Sequence, residues 1–464
     1  MIDTKPIYAC NIFRVLGCIS FIIVVIFGNF QIGQLQFLGI ALTYYRVGIP
    51  ILFIIIFLIN KRSHINSRLD DKFVKYKNLL IAIVIFWAVY GLISLLISPW
   101  SDFNAGAKEI LSIGLGCLSA YIGAYLCQYE LFDVAVITIK VSVIVLLIIG
   151  YIEIFTGYHL PVSRWTNAEF LEALAATYQN GEIPNELFYK ATGIFFNEND
   201  FCTFLSIFSP AFLYSTKTKW GESIIIKIGN YVVLAGILCV FQVNDAWICL
   251  IASILGMAFY LCIARAKIIK WILVGIVIIV TRIFGVVFFT GMTVWLYRLT
   301  GSDIFDHITT YTKSETVLAT QIQGVEQDSG SLFLRLNTYI ESMNAMFTQS
   351  KGLGLGAGSF QNYFTATFEE KNMMSNPHSF WIEILSQYGV IIFLLFVGIL
   401  LLIFFELLQK GYKAKNSGVA VVLSMGVCFG FASFAPSSFL NMTYYWIPIG
   451  LAVGLLILRD QKER

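Results

Sequence analysis

Charged residues are scarce in this sequence of 464 residues: Asp, Glu, Lys and Arg make up 13%, whereas hydrophobic residues make up 58%. Ordinary soluble domains carry about 25% charged residues, and the mean hydropathy of +0.78 is far above theirs. The composition therefore excludes a soluble globular domain and indicates an integral membrane protein. The formal net charge of +3 is too small to suggest nucleic acid, and no nucleic-acid partner is expected.

Disulfide and metal motifs are missing as well. The nine cysteines all fall within long apolar runs and none belongs to a CxxC motif, so neither a disulfide framework nor a zinc site is predicted. Asp303, Asp306 and His307 have a loose metal-ligand spacing, but such acidic clusters more often belong to solvated loops. No internal repeat or low-complexity linker is present. We therefore expect no metal and no cofactor.

About twelve apolar runs are long enough to cross a bilayer, which takes roughly 20 residues each. They lie at 10–29, 38–59, 79–98, 109–127, 134–156, 194–215, 224–243, 246–264, 269–290, 380–405, 418–438 and 442–458. The prediction is an all-α polytopic protein with one integral membrane domain over residues 1–464. Arg14 inside the first run, together with the lack of a small-residue cleavage site, predicts that this run is retained.

Lys and Arg are concentrated in five segments, and this bias predicts the orientation. The segments are 60–78, 215–220, 264–270, 409–418 and 458–464. Both termini are therefore predicted to be cytoplasmic, and the two long loops at 157–192 and 291–377 are predicted to face outward. The hairpin at 127–133 belongs on the cytoplasmic side by this count but carries no Lys or Arg, so the charge bias does not fix spans four and five.

Four glycines alternate in the outward segment QSKGLGLGAGSF, residues 349–360. The spacing fits a dinucleotide-binding loop, but such a loop needs a preceding strand, a following helix and a cytosolic cofactor, which this position lacks. Two interpretations remain. Backbone N–H groups at Gly354 and Gly356 bind an anion or a sugar without side-chain hindrance, or the glycines form a tight turn at the membrane surface. Glycine alone favours the turn.

The segments on either side of these glycines contain candidate functional residues. Upstream, apolar residues recur at helical spacing over 332–347 and predict an amphipathic helix on the outer membrane surface. Arg335 shares a polar stripe of this helix with Thr338 and Ser342. Downstream, Asn376 is predicted to cap span ten with Pro377 at the first helical position, which places His378 at the mouth of the span.

The order of these elements is similar to a known pattern. An arginine in an amphipathic helix, then KGLGLGAGSF, then HSFWIEILSQYG opening a span resembles the O-antigen ligase and polymerase superfamily of bacterial envelope glycosyltransferases. The stretch KATGIFFNENDF resembles the family's basic residue followed by G-x-F-x-N-P-N. Topology and loop sizes agree across nearly the whole chain. The resemblance implies localisation in the bacterial cytoplasmic membrane.

This chain departs from the family pattern at several positions. Ser379 replaces the Asn after the histidine, Gln387 replaces the usual Glu, and Glu198 replaces the Pro of N-P-N. Where relatives often open a span with a Ser-Arg pair, this chain has Asn244 and Asp245. The first two departures weaken any role for an acid beside His378, and that family arginine has no counterpart here.

The resemblance implies transfer of a glycan from a polyprenyl diphosphate carrier to an acceptor hydroxyl at the outer face, without a nucleotide or a metal. A departing diphosphate needs cations. The candidate catalytic residues are His378 and Arg335. The candidate substrate-binding residues are Arg164, Lys190, Asn197, Asn199, Arg298, Gly354 and Gly356. Glu198 and Asp200, beside the two asparagines, either bind sugar hydroxyls or cap the sixth span.

Three functions agree with these features to different degrees. The preferred one is a polymerase that joins lipid-linked repeats into a capsule, exopolysaccharide or O-antigen chain. The second is the same chemistry with another acceptor, as in an O-antigen ligase or a protein O-oligosaccharyltransferase. The third is a transporter or flippase, which would show paired half-repeats or a coupling-ion motif. The expected partners are polyprenyl diphosphate-linked oligosaccharides and the lipid bilayer, and a chain-length regulator and a flippase are candidate protein partners.

Several polar residues inside or near the spans need partners or water. Arg46 and Glu153 are predicted to snorkel from the outer ends of their spans. Arg282 is predicted to pair with Asp245, and His159 is interpreted as an ordinary loop residue. The positive end of the helix dipole is expected to keep His378 neutral.

Overall fold

The structure is a computed structural model that describes residues 5–28, 31–37, 40–62, 71–128, 131–176, 183, 185–216, 223–281, 331–360, 362–363, 366, 377–414, 416–436, 438 and 442–456. Over these residues the chain is helical apart from one short hairpin and connecting turns. The all-α prediction is confirmed. The predicted N-cap Asn376, the cation Arg298, the cluster at 303–307 and Arg282 lie outside the described residues.

The helices follow the predicted apolar runs closely. They are α1 Lys5–Phe27, α2 Tyr44–Arg62, α3 Asp71–Ile97, α4 Phe103–Gln128, α5 Phe132–Thr156, α6 Ala168–Ala175, α7 Glu198–Phe208, α8 Ile224–Val243, α9 Trp247–Ile263, α10 Ile268–Thr281, α11 Ser331–Ser350, α12 Phe380–Ala414, α13 Ser417–Ala432 and α14 Trp446–Leu455. Short 3₁₀ turns lie at Arg164–Thr166, Asn185–Tyr189, Ser209–Leu213 and Thr443–Tyr445. The strands β1 Gln31–Phe37 and β2 Ile40–Thr43 pair antiparallel.

Five of these helices are long and apolar enough to cross a membrane, namely α3, α4, α5, α8 and α12. Shorter apolar helices occupy most of the other predicted spans. Their outward surfaces are strongly apolar, for example at Leu96 (78% exposed) and Ile225 (75% exposed). An exposed apolar surface of this extent is unfavourable in water and favourable in contact with lipid. The fold is that of an integral membrane protein, and the count of twelve spans stays a prediction.

Helix α7 lies in the centre of the molecule. Its 11 residues span only about 16 Å, and it packs against α5, α9 and α13. Phe204 and Phe208 contact the ring of Tyr444, with centroid distances of 5.2 and 6.3 Å. The predicted sixth span is therefore a core helix covered by its neighbours, and this position fixes the polar residues at its first turn.

Small residues allow the helices to approach one another closely, as is common in membranes. At the crossing of α4 and α14, a Cβ added to Gly123 would lie 3.1 Å from the Cα of Gly450. A Cβ added to Gly450 would lie 2.8 Å from the carbonyl oxygen of Ala120. The two backbones are therefore in direct contact, which ties the end of the chain to its fourth helix.

Helix α11 confirms the predicted helix around Arg335, and its two faces differ in burial. Leu336, Ile340 and Phe347 are each more than half exposed, whereas Thr338 and Ser342 are fully buried. The stripe that includes Arg335 therefore packs against the protein, and the apolar face points away from it. This pattern of burial is that of an amphipathic helix, and its position on the outer membrane surface stays a prediction.

The glycine-rich segment after α11 binds to a break in helix α12. Gly389, inside α12, has φ 78° and ψ 177°, a conformation that essentially only glycine adopts. The break frees helical donors and acceptors, and the segment takes them up: Leu355 N–H donates to Ser386 O (2.8 Å), Gly356 N–H to Gln387 O (2.9 Å) and Val390 N–H to Gly352 O (3.0 Å). We call this arrangement of residues 352–356 with 386–390 the glycine clasp.

The predicted orientation can be tested by thiol labelling. A cysteine placed at Ala175 or Val325 should react with an impermeant thiol reagent in intact cells, after any outer envelope is made permeable. A cysteine placed at Ser67 should not react, because the surrounding basic loop is predicted to be cytoplasmic. The unmodified chain measures the background from native cysteines. Labelling at Ser67 with protection at Ala175 would reverse the topology.

Candidate functional site

Three candidate residues that are far apart in the sequence lie close together in the structure. His378 precedes α12, Arg335 is on α11, and Arg164 begins the 3₁₀ turn after α5. The pKa of His378 is lowered to about 4, first by burial and then by the positive charges of Arg335 and Arg164. Both positive charges therefore act on a neutral imidazole. Arg335 lies one helical turn before Tyr339, whose hydroxyl contacts the carbonyl oxygen of His378 (3.4 Å).

The backbone around His378 corrects the predicted helix start. Helix α12 begins at Phe380 rather than at Pro377, and Ser379 acts as its cap: its Oγ accepts from Ile382 N–H (3.4 Å) and its carbonyl oxygen accepts from Glu383 N–H (3.0 Å). His378 therefore lies just outside the helix. The ring is neutral as expected, but burial and the two arginines are the causes rather than the helix dipole.

His378 is held in an uncommon conformation. Its φ of 48° lies in the left-handed region, which residues with a side chain rarely adopt. Two neighbours hold it there: Tyr339 Oη donates to the carbonyl oxygen of His378 (3.4 Å), and Phe380 N–H donates to Ser433 O, at the C-terminal cap of α13 (2.9 Å). Strain that the surroundings maintain is typical of functional positions. The contact from Tyr339 also joins His378 directly to the helix that carries Arg335.

Arg335 differs from the candidate cations Arg164 and Lys190 because, within the described residues, it has no carboxylate partner. Arg164 pairs with Glu198, and Lys190 lies 3.3 Å from the carboxylate of Asp245. Within the described residues, no carboxylate forms an ion pair with Arg335, and its buried Nε has no hydrogen-bond partner there. A guanidinium with unused N–H donors is suited to bidentate binding of an anion.

Arg164 is held between aromatic rings and a carboxylate. Its guanidinium carbon lies 4.7 Å from the ring centroid of Trp165 and 5.1 Å from that of Phe170. Its Nη2 donates to the Glu198 carboxylate, and its backbone N–H donates to Phe196 O (2.8 Å). The loop after α5 is thereby bound to the start of α7, and the orientation of the guanidinium is fixed.

The polar residues at the start of α7 divide into two groups. Asn197 caps the helix, because its Oδ1 accepts from Asp200 N–H (2.9 Å), and it is nearly fully buried. Asn199 is only partly buried, and its carbonyl oxygen accepts from Thr203 Oγ1 (2.8 Å). Of the two asparagines predicted to bind sugar, Asn199 has the more accessible side chain.

Asp245 and Asn244 stabilise the segment that contains Lys190. Asn244 accepts from Ala191 N–H (2.9 Å) and donates to Ala191 O (2.7 Å). Asp245, at φ 54°, binds Lys190. Within the described residues Asp245 pairs with Lys190, and its predicted pairing with Arg282 falls outside them. Asn244 and Asp245 therefore fix the segment that carries the loop cation Lys190.

Glu153 and His159 have structural roles that differ from those predicted from the sequence. Glu153 is 1% exposed and accepts from Thr192 N–H (2.7 Å) and Gly193 N–H (2.6 Å). His159 is equally buried, with Nδ1 3.3 Å from Glu153 and Nε2 2.6 Å from Phe188 O. Glu153 therefore does not snorkel, and His159 is not an ordinary loop residue. Together they anchor the loop that leads from α5 to α7.

Gly354 and Gly356 use their N–H groups within the protein. Gly354 N–H donates to Ser350 Oγ (2.9 Å) and Gly356 N–H donates to Gln387 O. A Cβ on Gly354 would lie 2.4 Å from Gln387 O, so the close approach is to the protein's own backbone. The geometry favours the turn interpretation, and the two glycines are not part of the site proposed below.

A buried carboxylate on α4 accepts hydrogen bonds from the glycine clasp and from Gly358 just after it. Glu109 on α4 is 4% exposed, and its Oε2 accepts from Tyr388 Oη (2.6 Å) and Gly358 N–H (3.1 Å). Glu109 is not among the residues predicted from the sequence to be functional. The available signal was a carboxylate at the first residue of the predicted run 109–127, since an ionisable group in a membrane helix needs a partner.

Removing the Glu109 carboxylate should destabilise the protein. In Glu109→Ala, two buried donors lose their acceptor, which costs about 3 kcal/mol in total. Glu109→Gln keeps an acceptor oxygen and should cost about 1 kcal/mol or less. Thermal unfolding of the purified protein in detergent measures the difference. Equal midpoints for the unmodified protein and Glu109→Ala would show that Glu109 does not support the clasp.

The site can therefore bind a multivalent anion next to a group that accepts a proton. Arg335 and Arg164 supply charge and directed N–H donors, and the neutral imidazole of His378 supplies a base or a hydrogen-bond donor. Among the described residues, no group of three His, Cys, Asp or Glu side chains is arranged to hold a metal ion. The chemistry that these residues can perform is transfer of a group away from an anionic leaving group.

The chain is similar to a bacterial protein of teichuronic acid biosynthesis. It is 25% identical over 389 residues to the teichuronic acid biosynthesis protein TuaE of Bacillus subtilis (strain 168). The similarity covers 82% of this chain and 72% of TuaE, so it extends over the membrane helices as a whole rather than over one motif. No family model matches the chain.

Proposed function

We propose that this protein is a polysaccharide polymerase of the bacterial cytoplasmic membrane. It transfers a growing glycan from polyprenyl diphosphate to a hydroxyl of a new lipid-linked repeat at the outer face. The observation that supports this most strongly is that Tyr339, one turn after Arg335 on α11, contacts the backbone of His378, while the charges of Arg335 and Arg164 both lower the pKa of its ring. The similarity to TuaE supports a role in cell-wall polysaccharide biosynthesis. The same chemistry with a lipid A core or protein acceptor is the alternative.

In the proposed reaction the bond between the anomeric carbon and the diphosphate oxygen breaks, and a bond from the acceptor oxygen to that carbon forms. Negative charge develops on the departing polyprenyl diphosphate. Arg335 and Arg164 stabilise this charge in a partly buried site, where electrostatic interactions are stronger than in water. The acceptor hydroxyl loses its proton to His378, and the proton then leaves to solvent.

Binding of the donor should activate His378. With no anion bound, burial and two positive charges hold its pKa at about 4, which makes the imidazole a weak base. A diphosphate offsets mainly the charge of Arg335, because Arg164 already pairs with Glu198, and it raises the pKa of His378 towards the ordinary value of about 6.5. The base therefore gains strength only when a leaving group is present, which disfavours proton uptake in the empty site.

The pH dependence of the reaction tests this role of His378. The fall of kcat/KM at low pH reports the pKa of the base in the free protein. The fall of kcat at low pH reports its pKa in the substrate complex. We expect the limb of kcat/KM near pH 4 and the limb of kcat at higher pH. His378→Ala and His378→Gln should both lose polymer at normal protein level. Substantial activity in His378→Gln would leave only a hydrogen-bonding role, and full activity in both would remove His378 from the mechanism.

Reconstitution separates the polymerase from its alternatives. The purified protein in lipid nanodiscs is supplied with one species of polyprenyl diphosphate-linked repeat, and the products are separated by electrophoresis. A polymerase gives a ladder from this substrate alone, a ligase needs a second acceptor, and a transporter forms no bond. In the native cell, deletion of a polymerase leaves single-repeat material, whereas deletion of a ligase leaves a full ladder on the carrier.

A further inference from the structure

Glu198 is in an unusual position for a carboxylate at a site proposed to bind an anion. One of its oxygens accepts from Arg164 Nη2, and the side chain is 8% exposed. The other oxygen, Oε2, is buried and has no hydrogen-bond partner among the described residues. A buried oxygen without a donor is costly, so the contact with Arg164 is what holds the carboxylate in place.

The helix start gives Glu198 additional support. It is the first residue of α7, directly after the Asn197 cap, where the helix dipole stabilises a negative charge. Proline is also favoured at a first helical position, because its fixed φ suits the helix and the missing N–H has no helical partner. The carboxylate is therefore not required for α7 to begin here, and its contact is with the cation.

We propose that Glu198 is a positioning residue that occupies Arg164 while the site is empty, and that the diphosphate of the lipid-linked donor takes its place. This inference rests on the proposed function. Trp165 and Phe170 keep the guanidinium in one orientation, so the carboxylate and the diphosphate compete for the same donors. Two anions on one guanidinium repel each other at short range, and the carboxylate turns away when the diphosphate binds.

The competition has a consequence for turnover. After the glycan has been transferred, polyprenyl diphosphate remains bound to the arginines and must leave. Return of the Glu198 carboxylate to Arg164 replaces the contacts that the product loses, so the arginine is never left without an anion. Removal of the carboxylate should therefore strengthen binding of the diphosphate and slow its release, which lowers KM and kcat together.

Binding of farnesyl diphosphate to the purified full-length protein tests the competition. In Glu198→Gln, which keeps the size of the side chain, the Kd should fall about fivefold, the factor that corresponds to an ion pair of about 1 kcal/mol. Glu198→Pro should give the same fall, because proline preserves the helix start. Glu169→Gln removes a charge from the exposed first turn of α6 and is the matched control, with no change expected.

The variants also identify the cause of any effect. In Arg164→Ala the Glu198→Gln substitution should no longer change the Kd, because the two anions no longer share a cation. An unchanged or higher Kd in Glu198→Gln overturns the inference while the proposed function stands. If Glu198 binds a sugar instead, Glu198→Gln slows polymerisation without changing the Kd for farnesyl diphosphate. If the unmodified protein does not bind farnesyl diphosphate, both the inference and the proposed diphosphate site fail.

Discussion

Arg335→Ala should abolish polymer formation at a normal protein level, with a fall in rate of about a thousandfold. Loss of one preorganised donor to a developing anion costs about 10² to 10³ in rate. Among the described residues, Arg164 and Lys190 pair with carboxylates and Arg335 does not. The full charge of Arg335 therefore acts on the leaving group. Its removal also raises the pKa of His378 in the empty site, since its charge lowers that pKa. The acid limb of kcat/KM for any residual activity should therefore move to higher pH, while the rate falls because the leaving group has lost its main cation.

Arg335→Lys separates charge from geometry. Lysine keeps the positive charge but cannot hold two phosphate oxygens in fixed positions, so we expect partial activity. Lys351→Asn is the control. It removes an exposed cation just after the same helix, and asparagine tolerates the positive φ of 51° found there. Glycan electrophoresis with immunoblotting of the protein measures all three. A full ladder from Arg335→Ala would exclude Arg335 from the site.

Gly389→Ala should prevent stable folding. The backbone at this position has φ 78° and ψ 177°, which alanine does not adopt without strain. A Cβ would also lie 2.4 Å from the carbonyl carbon and oxygen of Leu353 and 2.5 Å from the carbonyl oxygen of Gly352. These are backbone atoms held by the clasp, so they cannot move aside cheaply. We expect a loss of more than about 4 kcal/mol, in the range of the most damaging substitutions.

The same helix provides a matched control. A Cβ added to Gly398 meets nothing within 4 Å, and glycine is a poorer helix former than alanine by about 1 kcal/mol. Gly398→Ala should therefore leave stability unchanged or slightly raised. Heating the detergent-solubilised protein and following the monomer peak by size-exclusion chromatography compares the two. Similar melting of Gly389→Ala and Gly398→Ala would show that the clasp does not hold the fold.

Helix positions could be predicted because a bilayer requires about 20 apolar residues, and such runs are visible without any tertiary information. The start of α12 shows where this local reasoning ends. Asn376, Pro377 and Ser379 all suit a helix start, and the local rules do not choose between them. The choice depends on distant groups, since Phe380 N–H donates to the carbonyl oxygen of Ser433, which caps the end of α13.

The candidate site was predictable only in part, for a similar reason. Arg335 and His378 belong to motifs that can be read locally. The pairing of Arg164 with Glu198 joins positions 34 residues apart, and that of Glu109 with Tyr388 joins positions 279 apart. No periodicity encodes such contacts. A carboxylate in an apolar run indicates that a partner exists, but the fold alone decides which residue it is.

The glycine clasp has a mechanical consequence. Helix α11, with Arg335, leads directly into the clasp, and α12, which begins two residues after His378, is held by the same clasp. The spacing of these two residues therefore cannot change unless the hydrogen bonds at Leu355, Gly356 and Val390 are broken. Arg164 lies outside this rigid piece, on the loop after α5. The two cations of the site are therefore held by separate parts of the fold, Arg335 by the clasp and Arg164 by the contacts of its loop with α7.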